Sequence, residues 1–182
     1  MAKILQLRGP RAASEFRLAK LVTALKTIDP AVRAVGSEYP EIEARHMYID
    51  ALALLMVQDP TQFDVIVTNN LFGDIITDLA AALQGGLGLA ASGNLHPGRT
   101  SMFEPVHGSA PPLAGKNVAN PMGAILSAAL MLESLDMKQE ALAIEAAVKQ
   151  AVVSGNGTKE IGGTLGTRET GDYISEIVLR RS

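Results

Sequence analysis

The sequence predicts an α/β fold, on three observations. FDVIVT at 63–68 is a β-branched run with the length of a buried strand. Apolar residues at helical spacing lie on both sides of it. Proline- and glycine-rich breaks separate these segments, and strands alternating with helices define this class.

Along the chain, Ser14 can cap a helix in which Leu18, Leu21, Val22 and Leu25 follow the i, i+3, i+4, i+7 rule. Asp29-Pro30 is its expected stop. Ile42, Ala44, His46 and Tyr48 alternate as in a strand. DALALLMV at 50–57 reads as a helix that stops at Asp59-Pro60. After the strand at 63–68, Asn69 and Asn70 turn into a helix over 72–83. Gly85, Gly86 and Gly88 interrupt it, and LGLAA resumes regular structure. MGAILSAALMLESL is apolar on nearly every face and predicts a buried helix. An amphipathic helix over 138–153 closes at Gly155. GGTLGTRETGDYISEIVLRR supplies a glycine-rich loop and a last helix. There is no internal repeat and no low-complexity tract.

Composition narrows the function classes. With 47% hydrophobic and 19% charged residues in 182, the chain reads as a soluble globular protein of one large or two small domains. A net charge of -3 without a dominant basic cluster argues against nucleic acid. The lack of cysteine excludes disulfide and thiol chemistry, and a cytoplasmic location is expected. No apolar run is long enough to span a membrane, and MAKILQLRGPR lacks a secretory cleavage site.

The chemistry concentrates in two places. EPVHGSAPPLAGKNVAN at 104–120 packs a histidine, three prolines and two glycines into one loop ahead of an apolar helix. That is a stiff ligand-binding loop ending at a helix N-terminus, with the ligand unnamed. Asp74 and Asp78 stand four apart on one helix face, where like charges repel unless a cation lies between them. The helix dipole alone accounts for Asp74 if it sits in the first turn. Asp50, like Asp74, follows a strand and opens on a helix, where α/β folds place their chemistry. Three such carboxylates could offer oxygen ligands to Mg²⁺ or Mn²⁺. His46, His96 and His107 are too widely spaced for a zinc motif. GGLG at 85–88 and GGTLG at 162–166 match neither the Rossmann nor the P-loop pattern and read as ordinary turns.

YIDALALLMVQDPTQFDVIVTNNLFGDIITD, then GGLGLAASGNL, then FEPVHGSAPPLAGKNVANP, resemble in this order the carboxyl half of the β-decarboxylating dehydrogenases. Within that family the resemblance is greatest to the members acting on 3-isopropylmalate in leucine biosynthesis. It runs from about Glu38 to the C-terminus. The resemblance implies an isocitrate/isopropylmalate dehydrogenase-like α/β fold whose N-terminal half is missing or replaced. Residues 1–36 would be an atypical segment, 37–90 part of the dimerisation and metal-binding domain, and 91–182 the C-terminal part of the cofactor-binding domain.

The resemblance further implies that Asp74 and Asp78 bind Mg²⁺ or Mn²⁺, with Asp50 reaching the metal and substrate from the second subunit of a homodimer. The adenosine half of NAD would lie along His107, Gly108, Ser109, Ala110, Pro111, Pro112 and Leu113. It would continue over Ala114, Gly115, Lys116, Asn117, Val118, Ala119 and Asn120. The implied reaction is metal-dependent oxidative decarboxylation of a small 2-hydroxy acid.

Two departures from the family pattern stand out. NAD-preferring members carry an acid where this chain has Pro112, and NADP-preferring members carry Lys-Tyr where it has Pro112-Leu113. The family's catalytic lysine and tyrosine are not found. RLAKLV around Lys20 looks helical, and Arg8, Arg11 and Arg17 match no substrate-binding motif. Relatives acting on isocitrate, tartrate or homoisocitrate are the nearest alternatives. A noncatalytic half-protein or assembly partner is the alternative of another class.

Overall fold

The computed structural model describes residues 2–6, 20–23, 29–96 and 98–181. The chain divides into two compact units, Met1–Leu83 and Gln84–Ser182.

In the first unit, β1 (Ala2–Gln6), β2 (Lys20–Thr23), β3 (Glu43–His46) and β4 (Val65–Asn69) form one sheet in the order β1-β4-β2-β3. The sheet is mixed. β2 runs parallel to both β3 and β4, and β1 is antiparallel to β4 with Ala2 opposite Asn69. The helix expected across Leu21 and Val22 is therefore a strand here, and the helical reading around Lys20 is corrected with it. Pairing on both sides with distant strands outweighs a local helical spacing. Ser14, Leu18 and Leu25 of that expectation lie outside the described residues, as do Arg8, Arg11 and Arg17.

Asp29-Pro30 opens a helix instead of ending one: α1 spans Asp29–Gly36. Proline suits a first turn, where its missing N–H would have had no partner. α2 spans Ile49–Gln58. Beyond it the Asp59 carboxylate accepts the Thr61 N–H at 3.2 Å, heading a tight turn through Pro60. α3 spans Asn70–Leu83, and Asn69 caps it by accepting the Phe72 N–H at 2.9 Å. Leu52 and Met56 of α2, Phe63, Ile66 of β4, and Ile76 and Ala80 of α3 form the core of this unit. Complete burial of side chains such as these contributes about 1.5–3 kcal/mol each.

The second unit holds β5 (Ala91–Asn94) paired antiparallel with β6 (Met102–Pro105), followed by α4 (Met122–Ser134), α5 (Lys138–Val153) and α6 (Thr167–Arg181). Met122 of α4, Ala147, Val148 and Ala151 of α5, and Ile174 and Ile177 of α6 close its core. α4 is not buried all round as its apolarity suggested, since Met131 remains exposed. α5 ends as expected. Gly155 takes a positive φ of 70°, while its N–H reaches Val152 O and the Asn156 N–H reaches Ala151 O. Among the described residues, no helix is long and apolar enough to cross a membrane.

Candidate functional site

Two surfaces carry the residues singled out in the sequence, one in each unit. In the first unit, α3 follows β4 without a loop, so Asn70 already lies in the helix. The helix thus starts two residues earlier than the 72–83 expectation, and its first turn holds no acid. That removes the helix-dipole explanation of Asp74. Asp74 and Asp78 stand exposed one turn apart. Asn70 Nδ2 donates to Asp74 Oδ2 at 3.0 Å and fixes one of its oxygens. Asp50, in the first turn of α2, is exposed as well, and its Oδ1 accepts the Ala51 N–H at 2.8 Å.

Among the described residues, no three His, Cys, Asp or Glu side chains gather closely enough to hold a metal ion. Asp74 and Asp78 still fit a hard divalent cation by donor type and spacing, because Mg²⁺ uses one or two carboxylates and fills the remaining positions with water or substrate.

In the second unit, the loop leaves β6 and is tied at Val106, whose N–H donates to Ala90 O at 2.9 Å. His107 Nδ1 lies 3.0 Å from Gly108 O, and since a carbonyl only accepts, Nδ1 carries the proton. Its Nε2 is buried without a partner and faces the start of α4, where a Cβ on Gly123 would stand 3.3 Å away. Asn120 Oδ1 accepts the Met122 N–H at 3.0 Å and caps α4, leaving its buried Nδ2 unpaired.

Between these anchors, residues 108–118 are exposed. Pro111–Leu113 form one tight turn, entered through Ala110 at a φ of 42°. Gly108 and Gly115 have open space where a Cβ would stand. The loop thus presents an exposed, conformationally restricted backbone ahead of α4, with two buried polar atoms unpaired at its base. Pro112 lies on the outer turn and brings no polar side chain to it.

The third feature is a shallow hollow of about 270 Å³ lined by Phe103, Pro105, Ala124, Ser127, Ala128 and Met131. It has no titratable side chain and offers no acid–base chemistry.

The family model described as isocitrate/isopropylmalate dehydrogenase matches residues 17–177. The chain belongs to the isocitrate/isopropylmalate dehydrogenase family. The family match begins well before Glu38, where the motif resemblance starts, and it takes in β2. A 3-isopropylmalate dehydrogenase of Rhodococcus erythropolis is 53% identical over 147 residues, which cover 80% of this chain and 42% of that protein. One from Methanothermobacter thermautotrophicus is 53% identical over 141 residues, covering 78% and 43%. The chain thus spans less than half the length of these relatives.

Among solved structures, isocitrate dehydrogenase from Methylococcus capsulatus superposes with a TM-score of 0.83 at 38% identity. The match covers 89% of this chain and 51% of that one. A β-decarboxylating dehydrogenase from Thermococcus kodakarensis gives a TM-score of 0.76 at 38% identity, over 90% and 50%. The isocitrate/isopropylmalate dehydrogenase-like α/β fold expected from the motifs is the fold of this family member.

Sequence reading missed the contacts that hold the loop from behind. Asn117 bonds to the first turn of α6, and Glu160 accepts the Gly88 N–H at 3.3 Å. The only local signal was an acid in the first turn of the last helix, Glu169.

Proposed function

We propose that this chain carries the metal- and cofactor-binding part of an NAD-dependent enzyme that oxidatively decarboxylates 3-isopropylmalate. The observation that carries the reading is the identity of about half of the matched residues to 3-isopropylmalate dehydrogenases. It joins an exposed carboxylate pair directly after a central strand. In the reaction the substrate hydroxyl carbon becomes a ketone as its hydride leaves to NAD⁺ and the hydroxyl proton to a base. The carboxylate on the neighbouring carbon, β to that ketone, is then lost as CO₂, its bonding electrons passing into an enolate that takes up a proton. When bound, a divalent ion would supply Lewis acidity at the substrate oxygens, and NAD⁺ would supply the hydride acceptor.

The residues of the chain do the holding. Asp74 and Asp78 supply oxygen donors, and Asn70 keeps Asp74 in one orientation. His107 through Asn120 present the loop to the adenosine half. Pro112 offers no acceptor for a ribose hydroxyl, so the preference for NAD over NADP must be set by other groups.

The third carboxylate is Asp50 of a second copy. Asp50, Leu54 and Val57 share one face of α2, while Leu71, Ile75 and Asp78 share one face of α3, with Asp74 beside them. The four apolar residues are each more than half exposed, and α2 packs on α3. Exposed apolar stripes bordered by carboxylates suit a homodimer that brings Asp50 of one chain to Asp74 and Asp78 of the other. Residues 37–90 then serve dimerisation and metal binding, and 91–182 the cofactor.

The test is metal-dependent NADH formation from 3-isopropylmalate and NAD⁺ by the purified protein, together with Mn²⁺ titration. Turnover that persists unchanged in Asp74→Asn overturns the metal assignment.

A further inference from the structure

We propose that Asn117 and Glu169 form a positioning clasp, with Asn117 acting as an N-cap for α6 supplied from the loop, which locks the 111–118 segment in one conformation. The inference rests on reading that loop as the dinucleotide loop, and extends it to residues of α6 outside the loop.

The first N–H groups of any α-helix lack partners within the helix, and a side chain just before it normally accepts them. α6 is preceded by Gly166, which has no side chain to do so. Asn117 fills the role across 51 residues. Its carbonyl accepts the Thr167 N–H at 3.1 Å, and its Oδ1 accepts the Arg168 N–H at 2.9 Å. Its Nδ2 donates to Glu169 Oε2 at 2.8 Å. The Thr167 hydroxyl donates back to Ala119 O. Four hydrogen bonds thus join two loop residues, Asn117 and Ala119, to three residues of one helical turn.

Two backbone features are explained by this arrangement. A Cβ on Gly166 would run into Asn117 Nδ2 and Glu169 Oε2, so the residue before α6 is a glycine because Asn117 occupies its side-chain space. Asn117 itself takes a left-handed φ of 56°, which asparagine tolerates better than other residues with a Cβ. The Glu169 carboxyl is held below its ordinary range by its own backbone N–H and then by the Asn117 amide, which favours the charged acceptor. Asn117 is therefore committed to α6 and is not free to bond a ligand. Its part in cofactor binding is to position the loop.

The experiment is hydrogen exchange of the amides at 113–119 without ligand, followed by NADH titration, on the full chain and three variants. Asn117→Gly keeps the left-handed backbone and removes only the side-chain bonds. Exchange at 113–119 is expected to quicken about tenfold, the equivalent of one lost bond to a charged group, and NADH to bind several-fold more weakly. Glu169→Ala is expected to do the same at the Asn117 end of the loop. Glu169→Gln keeps an acceptor and is expected to restore most of the protection. Unchanged exchange in both Asn117→Gly and Glu169→Ala overturns the clasp. Quickened exchange with unchanged NADH affinity overturns its positioning role. A parent chain that does not bind NADH overturns the cofactor reading, while exchange still decides the clasp.

Discussion

Asn70 and Asp74 are joined side chain to side chain at 3.0 Å across one turn of α3. The bond aims Asp74 outward beside Asp78. Removing either carboxylate, by Asp74→Asn or Asp78→Asn, is expected to abolish measurable Mn²⁺ binding in calorimetry while leaving the circular dichroism spectrum unchanged. Asn70→Ala keeps both ligands but frees one, and weakens Mn²⁺ binding by about tenfold, typical of an outer partner of a metal ligand. Equal affinity in all three variants places the metal elsewhere.

The apolar outer faces of α2 and α3 make the oligomeric state a sharp test. Leu54→Lys or Ile75→Lys places a charge in the proposed interface, at positions already more than half exposed in the single chain. Each variant is expected to sediment as a folded monomer where the parent sediments as a dimer. A parent chain that is monomeric at all concentrations contradicts the shared metal site.

The base of the loop is close-packed around Gly88. A Cβ there would stand 2.8 Å from the Asn120 Cβ and would collide with the Glu160 carboxylate. Gly88→Ala is expected to lower stability by about 1–3 kcal/mol through overpacking, read as a fall in the urea midpoint. Asn120→Ala removes the α4 cap and is expected to cost about 1 kcal/mol.

Glu145 on α5 contributes one pH dependence to the second unit. Burial, and then the charge of Glu133, push its carboxyl above the ordinary glutamate range. A raised acid binds its proton more tightly in the folded state. Its contribution is therefore fully present below the unfolded value and is lost as pH rises through the folded one. At neutral pH the charged group opposes folding. Glu145→Gln is expected to raise the thermal midpoint at pH 7, with the gain vanishing below the ordinary glutamate range. A gain independent of pH would point to packing instead of charge.

Much of this was legible in the residues themselves. α2, α3, β4 and α5 lie where apolar spacing and the punctuation of Pro60 and Gly155 put them, because those signals are local. The motifs around Asp74 and His107 carried the family for the same reason. The reading went wrong at β2 and at Asp29-Pro30, where helical spacing and a proline each had two meanings. Only strand pairing with β3 and β4 decided the first. The place of Pro30 in a first turn decided the second.

The sequence by itself determined the α/β class and the family, and it singled out the carboxylates Asp50, Asp74 and Asp78 and the loop from His107 to Asn120 as candidates. Each is written in short runs whose meaning depends on near neighbours. Tertiary structure decided which side chains are already engaged. Asn117 reads as one more polar loop residue until α6 is folded against it and takes both ends of its amide. The burial of His107 Nε2 against the start of α4 is likewise something no local run of residues records. Hydrogen bonds and burial between distant segments exist only once the chain has closed, and no local pattern records them.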